Sequence, residues 1–154
     1  MNQNTVSGYD GMINGYVSLL KLGTGTLTIT NASTSTAGSF VISNGTLVVG
    51  GIAGTLGNNS TNIVVGGTGT LTLQNSNTLS DNATLSIGNG GAKVSLAAGV
   101  NEAVRYLFLG TSQKRAGTYG STSSAATVKD DTHFSGTGIL TVLHDKSGTL
   151  MRVQ

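Results

Sequence analysis

The chain contains no cysteine, which excludes disulfides and thiolate metal sites and leaves the compartment open. It has no tryptophan, and aromatics make up only 5%, poor material for stacking sugar rings. Charged residues are 9% of the chain, against about a quarter in an average globular protein. Low charge can accompany membrane insertion, but no apolar run approaches the ~18 residues that would span a bilayer, so no membrane insertion by this segment is expected. The eight basic residues are mostly isolated, Lys114–Arg115 being the only basic pair. A net charge of +2 spread this thinly gives no footprint for phosphates, and no nucleic-acid partner is expected. Disorder fits poorly too, because threonine, valine and isoleucine are frequent where disordered chains are rich in charge. Met1 is not followed by a basic and then an apolar stretch, so an exported chain of this sequence would be a processed or excerpted segment.

What the chain does have is glycine, 24 of it, set in a recurring unit. Residues 66–74 read GGTGTLTLQ, with near-copies GTGTLTIT at 23–30, NGTLVVG at 44–50, NATLSIG at 82–88 and GTGILTV at 136–142. Each is a turn of Gly or Asn followed by threonines alternating with aliphatics, the period-2 signature of a half-buried strand. The fold class is all-β, with strands expected over 16–22, 26–30, 40–43, 46–49, 63–65, 70–73, 84–87, 93–97, 104–109 and 139–143.

Two architectures can use these pieces. Asn44-Gly45 between apolar runs is a strong hairpin signal and points to an antiparallel β-sandwich. The recurrence points instead to a parallel β-helix (solenoid), with one glycine corner per coil where a residue of positive φ is needed. Leu27, Leu47, Leu71 and Leu85 would then stack in one column, at spacings of 20, 24 and 14 residues. The repeat favours the solenoid. Charge marks one division: of the acids and bases, only Asp10, Lys21 and Asp81 precede residue 93. Residues 1–92 read as repeat body, and 93–154 as a C-terminal capping segment whose charges discourage edge-to-edge association.

Candidate chemistry is thin. The Gly-Thr-Gly turns at 23, 67 and 136 precede strands, whereas a phosphate loop opens a helix. His133 and His144, with Asp130, Asp131 and Asp145, carry metal-ligand and acid–base chemistry in principle, but without a fixed strand spacing they read as a solvated bend. Asp10 and Asp81 are too isolated to form a carboxylate pair of the glycosidase kind. No catalytic, cofactor or metal residue is assigned. Thr26, Thr28, Thr70, Thr72, Thr84 and Thr141 can line one outward face, which reads first as strand propensity with hydroxyl bonding between rungs and second as a flat surface for glycan or ice. Tyr106 or Phe108 is expected to cover the core, with Tyr119 packing a loop.

The repeats GTGTLTL and NGTLVVG resemble the autotransporter-associated β-strand repeat of secreted bacterial surface proteins. The terminal segment is similar to one that often ends such arrays: Val104, Leu107, Leu109 and Gly110, then AGTYG at 116–120, a Ser/Thr/Ala run, and FSGTGILTV at 134–142. The resemblance covers roughly two-thirds of the chain. It implies a right-handed parallel β-helix exported to the bacterial cell surface, acting as a rigid passenger or stalk without enzymatic activity. Alternatives are an adhesive or carbohydrate-binding module using the threonine face, and an extracellular fibre subunit stacking end to end on itself. Expected partners are therefore further copies of the chain or surface glycans.

Overall fold

A computed structural model describes residues 4–11, 13–32, 38–51, 53–57, 59 and 61–145. Among them there are sixteen strands and no helix: β1 (Ser7–Tyr9), β2 (Leu19–Lys21), β3 (Thr26–Ile29), β4 (Ser39–Ile42), β5 (Thr46–Val49), β6 (Asn62–Val65), β7 (Thr70–Leu73), β8 (Thr84–Ile87), β9 (Lys93–Leu96), β10 (Asn101–Val104), β11 (Tyr106–Leu109), β12 (Ser112–Gln113), β13 (Gly117–Gly120), β14 (Val128–Lys129), β15 (Phe134–Gly136) and β16 (Ile139–Val142). The strands sort into two long sheets and a shorter one. One long sheet runs β1-β3-β5-β7-β9-β15, all parallel; the other runs β2-β4-β6-β8-β11 in parallel and ends in the antiparallel β12. Consecutive strands alternate between them, so β2–β3, β4–β5, β6–β7 and β8–β9 are four stacked coils of a β-solenoid.

Side-chain alternation explains why the coils stack. In β3, β4, β5, β7, β8, β9, β11 and β16 the second and fourth residues are buried and the first and third half-buried. Parallel register then places like on like. Leu27, Leu47, Leu71, Val94 and Phe134 form one inward column, and Phe40, Ile63, Leu85 and Leu107 form another in the opposite sheet. Each buried aliphatic contributes about 1.5–3 kcal/mol, but only because the coils above and below exclude water from it.

This corrects the expected column at one position. Leu85 belongs to the second sheet, and the residue above Leu71 is Val94. The spacings in the first sheet are therefore 20, 24 and 23, and the anomalous 14 was a step across the solenoid rather than along it. The hairpin signal at Asn44-Gly45 resolves the same way: β4 and β5 do not pair with each other but lie in different sheets. Gly45 turns the corner at φ 66°, and a Cβ there would sit 2.4 Å from the carbonyl oxygens of Gly23 and Gly25 in the coil below. No side chain fits that approach.

The third side of the solenoid is irregular through the first coils. Its segments meet through single bonds, such as Leu56 N–H to the Thr78 carbonyl at 2.8 Å, with Leu56 and Leu79 turned inward. Among the described residues a proper sheet forms there only at the C-terminal end, in the order β10-β16-β13-β14. The expected single strand over 104–109 is in fact two, because Arg105 is a corner between the third side and the second sheet. Both long sheets run across residue 93: β9 pairs with β7 and β11 with β8, each over four residues. The change in charge density there is a change of composition within a continuous ladder. Tyr119 is buried, its hydroxyl donating to the Arg115 carbonyl at 2.9 Å. Tyr106 and Phe108 point outward from β11, with the Arg105 guanidinium 5.3 Å from the Tyr106 ring centre, so Leu107 and Leu109 provide the core instead.

Candidate functional site

The threonines singled out from the sequence fall on three surfaces. Thr26, Thr28, Thr70 and Thr72 share the outer face of the first sheet, Thr84 lies on the second between Asn62 and Tyr106, and Thr141 lies on the short third sheet. Thr141 Oγ1 donates to Asn101 Oδ1 at 3.1 Å. On the first sheet the register yields two outward columns, Thr26–Thr46–Thr70–Lys93 and Thr28–Val48–Thr72–Ser95–Ser135. Thr46 completes the first and was missed because its segment, NGTLVV, departs from the Thr-Leu-Thr pattern; its place after the Gly45 corner was the available signal. Rungs about 4.8 Å apart and alternate residues about 6.7 Å apart make a flat grid of hydroxyls and methyls. Among the described residues Lys93 is the one charge on it.

Among the described residues a lysine, a glutamate and a histidine are buried, the first two held by backbone groups and the third by side chains. Lys21 occupies an inward position at the end of β2, in the column of Ile42, Val65, Ile87 and Leu109. Its ammonium donates to the carbonyl oxygens of Gly23 and Asn44 at the corner, and burial pulls its pKa below the usual lysine value. Glu102, in β10, faces the irregular segment 74–83. Its carboxylate accepts from the Thr78 N–H at 2.9 Å, the Thr78 hydroxyl at 2.8 Å and the Leu79 N–H at 3.2 Å. Those amides lie in a stretch without strand pairing, and an unsatisfied buried donor costs about 1–3 kcal/mol. Burial pushes the Glu102 carboxyl up, and the bonds from Thr78 and Leu79 oppose this without cancelling it.

His133 is the third. It was expected in a solvated bend; the bend is there, but the imidazole is 8% exposed. Nδ1 lies 2.8 Å from Asp130 Oδ2 and Nε2 lies 3.1 Å from Asn89 Oδ1, on the corner between β8 and β9. Burial raises the Asp130 carboxyl, but bonds from the His133 ring and main chain and from Thr132 outweigh it and hold it below the ordinary range. An aspartate orienting a histidine is half of a nucleophile-activating arrangement. Here both ring nitrogens are engaged, so neither is available to take a proton from a hydroxyl. Asp131 is tied to the Thr122 amide and hydroxyl, and Asp145 accepts from the Ala116 amide.

Lys21, Glu102 and His133 sit in different columns and are not brought to one cleft. Among the described residues no three His, Asp or Glu are grouped to hold a metal. No family model, no curated protein and no solved structure matches the chain. The functional reading therefore rests on the geometry of this solenoid and on the resemblance carried by its repeats. Two concavities among the described residues bear on the surface. One, of about 270 Å³, is a polar groove on the third side lined by Asn77, Leu79, Ser80, Asp81 and Asn82. The other, of about 350 Å³, is apolar and lies at the N-terminal end of the stack.

Proposed function

We propose that the chain is a non-enzymatic structural segment of an exported bacterial surface protein of the autotransporter-associated repeat type, a rigid β-helical passenger or stalk. The observation that supports this is the unbroken parallel register of the two long sheets over coils of unequal length. Hydrogen bonds run along the solenoid axis, so bending the rod means breaking ladders on one side while compressing aliphatic columns on the other. Six strands in the first sheet give roughly 24 Å of such rod. Outward side chains of the first sheet are small and, Lys93 apart, uncharged, so its strands stack without repulsion. Duplicating the 24 residues of one coil, 46–69, tests the mechanical part. Small-angle scattering should show the longest dimension grow by about 4.8 Å with cooperative melting retained, and growth in girth instead would refute it. Antibody labelling of intact cells expressing the parent gene tests the surface location, and labelling only after lysis would refute that.

A second reading, an adhesive module, is favoured by one observation: Thr26, Thr46 and Thr70 stand in register on a flat sheet face. Such a grid suits an ordered polysaccharide, with hydroxyls bonding sugar oxygens and methyls lying against ring faces. A glycan array and co-sedimentation with insoluble polysaccharide test it. Binding that disappears in Thr46→Lys supports this reading, and silence at high protein concentration removes it.

A further inference from the structure

Asn44-Gly45, which reads as a hairpin turn and folds as a corner between β4 and β5, carries chemistry of its own. On either side of it Ser43 and Thr46 bond to the coil below, through the carbonyls of Lys21 and Gly25. Between them the Gly45 N–H donates to the Asn44 side-chain Oδ1 at 2.8 Å. That bond keeps the Gly45 nitrogen within about 4 Å of Asn44 Cγ, a C=O bond being ~1.23 Å long. Two further contacts act on the same residue. The Thr68 hydroxyl, from the corner of the next coil, donates to Asn44 Oδ1 at 2.9 Å. The Lys21 ammonium, from the coil below, lies 3.4 Å from the Asn44 main-chain oxygen, and a Cβ on Gly45 would meet it at 2.8 Å. A donor on the side-chain oxygen draws electrons from Cγ and makes it a better electrophile. A cation on the main-chain oxygen draws electrons from the Asn44–Gly45 peptide and makes its N–H easier to deprotonate. Asn44 and Gly45 are half-buried, so water reaches both.

We infer that Asn44 is a self-modification site, where the Gly45 nitrogen closes on the Asn44 side chain and expels ammonia. The Gly45 N–H gives its proton to hydroxide, the nitrogen bonds to Cγ, and the Cγ–Nδ2 bond breaks. Nδ2 takes a proton from water and leaves as ammonia, which regenerates the hydroxide. Water then opens the five-membered imide to an aspartyl or isoaspartyl residue. Either product places a carboxylate on the corner that holds the Lys21 ammonium, whose bonding partners among the described residues are the Gly23 and Asn44 carbonyls. Asn89-Gly90, at the corner between β8 and β9, is the internal control. The Asn89 Oδ1 lies 3.1 Å from His133 Nε2, and its Nδ2 packs so close to Gly110 that a Cβ there would lie 2.4 Å away. Held on both sides, that carboxamide is kept from turning Cγ toward the Gly90 nitrogen. The inference is independent of the stalk reading.

Incubation of the folded chain in mildly alkaline buffer tests this, with peptide mapping by mass spectrometry to read the exchange of ammonia for water at each Asn-Gly step, 14, 44 and 89. Asn44 should convert about tenfold faster than Asn89, and the difference should vanish in urea, where neither side chain is held. Lys21→Met places an apolar side chain in a column that is otherwise aliphatic, so the fold is kept, and should slow Asn44 by about tenfold. Thr68→Val, at an exposed position, should slow it by about fivefold, the worth of one neutral hydrogen bond. Both variants should convert at the wild-type rate in urea. An Asn44 that survives in the folded chain while converting in urea overturns the proposal, as does a folded-state rate that neither substitution changes.

Discussion

The two long sheets and the third side of the solenoid meet the same requirement by different means. In the sheets the middle coils present four residues each with the second and fourth turned inward, and backbone amides find partners in the coil below. On the third side the segments differ in length from coil to coil, and isolated groups close the structure: Leu56, Leu79 and the carboxylate of Glu102. The sheets tolerate almost no change of register, since a slip of one residue turns every inward side chain outward. The third side absorbs the difference between a coil of 20 residues and one of 24.

Breaking the sheet side should have the largest effect. Leu71→Asp puts an unpaired carboxylate between Leu47 and Val94, and no cooperative thermal transition should remain, since an uncompensated buried charge costs about 3–5 kcal/mol or more. Leu47→Ala in the same column should cost about 2–5 kcal/mol by denaturant titration. An unchanged melt for either variant would mean that the columns do not carry the fold. Next comes the third side. Glu102→Ala strands the Thr78 and Leu79 amides and should cost about 1–3 kcal/mol for each donor left bare, with faster hydrogen exchange at both. Glu102→Gln keeps an acceptor and should cost clearly less.

Acidity separates the buried carboxylate of Glu102 from the half-buried one of Asp130. Glu102 has a raised folded pKa, so its contribution is full below the unfolded value of about 4.3 and is lost as pH rises through the folded value. Asp130 has a lowered one, so its contribution is full above about 3.9 and is lost as pH falls through the folded value. In denaturation curves taken from acid to neutral pH, Glu102→Gln should remove the decline on the rising side and Asp130→Asn the decline on the falling side. The opposite assignment would contradict the geometry of both sites. The smallest effect belongs to length: two glycines inserted after the exposed Ala53 should shift stability by under about 1 kcal/mol. The same insertion after Leu47 should unfold the protein. Equal effects at the two places would erase the contrast between the sides.

Which parts of this were legible follows from where the information lies. The Thr-Leu-Thr and Gly-Thr-Gly segments announced short strands and corners because alternation and glycine are local signals. The choice of sheet for each strand was not legible, since both sheets use the same alternation, and Leu85 was placed in the wrong column for that reason. The corner at Arg105 is hidden inside VRYLFL, a run that reads as one strand. Lys21 and Glu102 could have been found: each falls in phase with an inward neighbour, Leu19 and Val104, and a charge in that phase must have its partner in the backbone. His133 could not, because Asn89 lies 44 residues away and no short-range pattern joins them.

The corner at Gly45 bears on how such a protein can change over generations. A coil advances the rod by one strand spacing whatever number of residues it spends, so reach is counted in corners rather than in amino acids. Insertions on the third side thicken the rod and alter what it shows to its surroundings. Loss or gain of a glycine corner, by contrast, changes how far it extends.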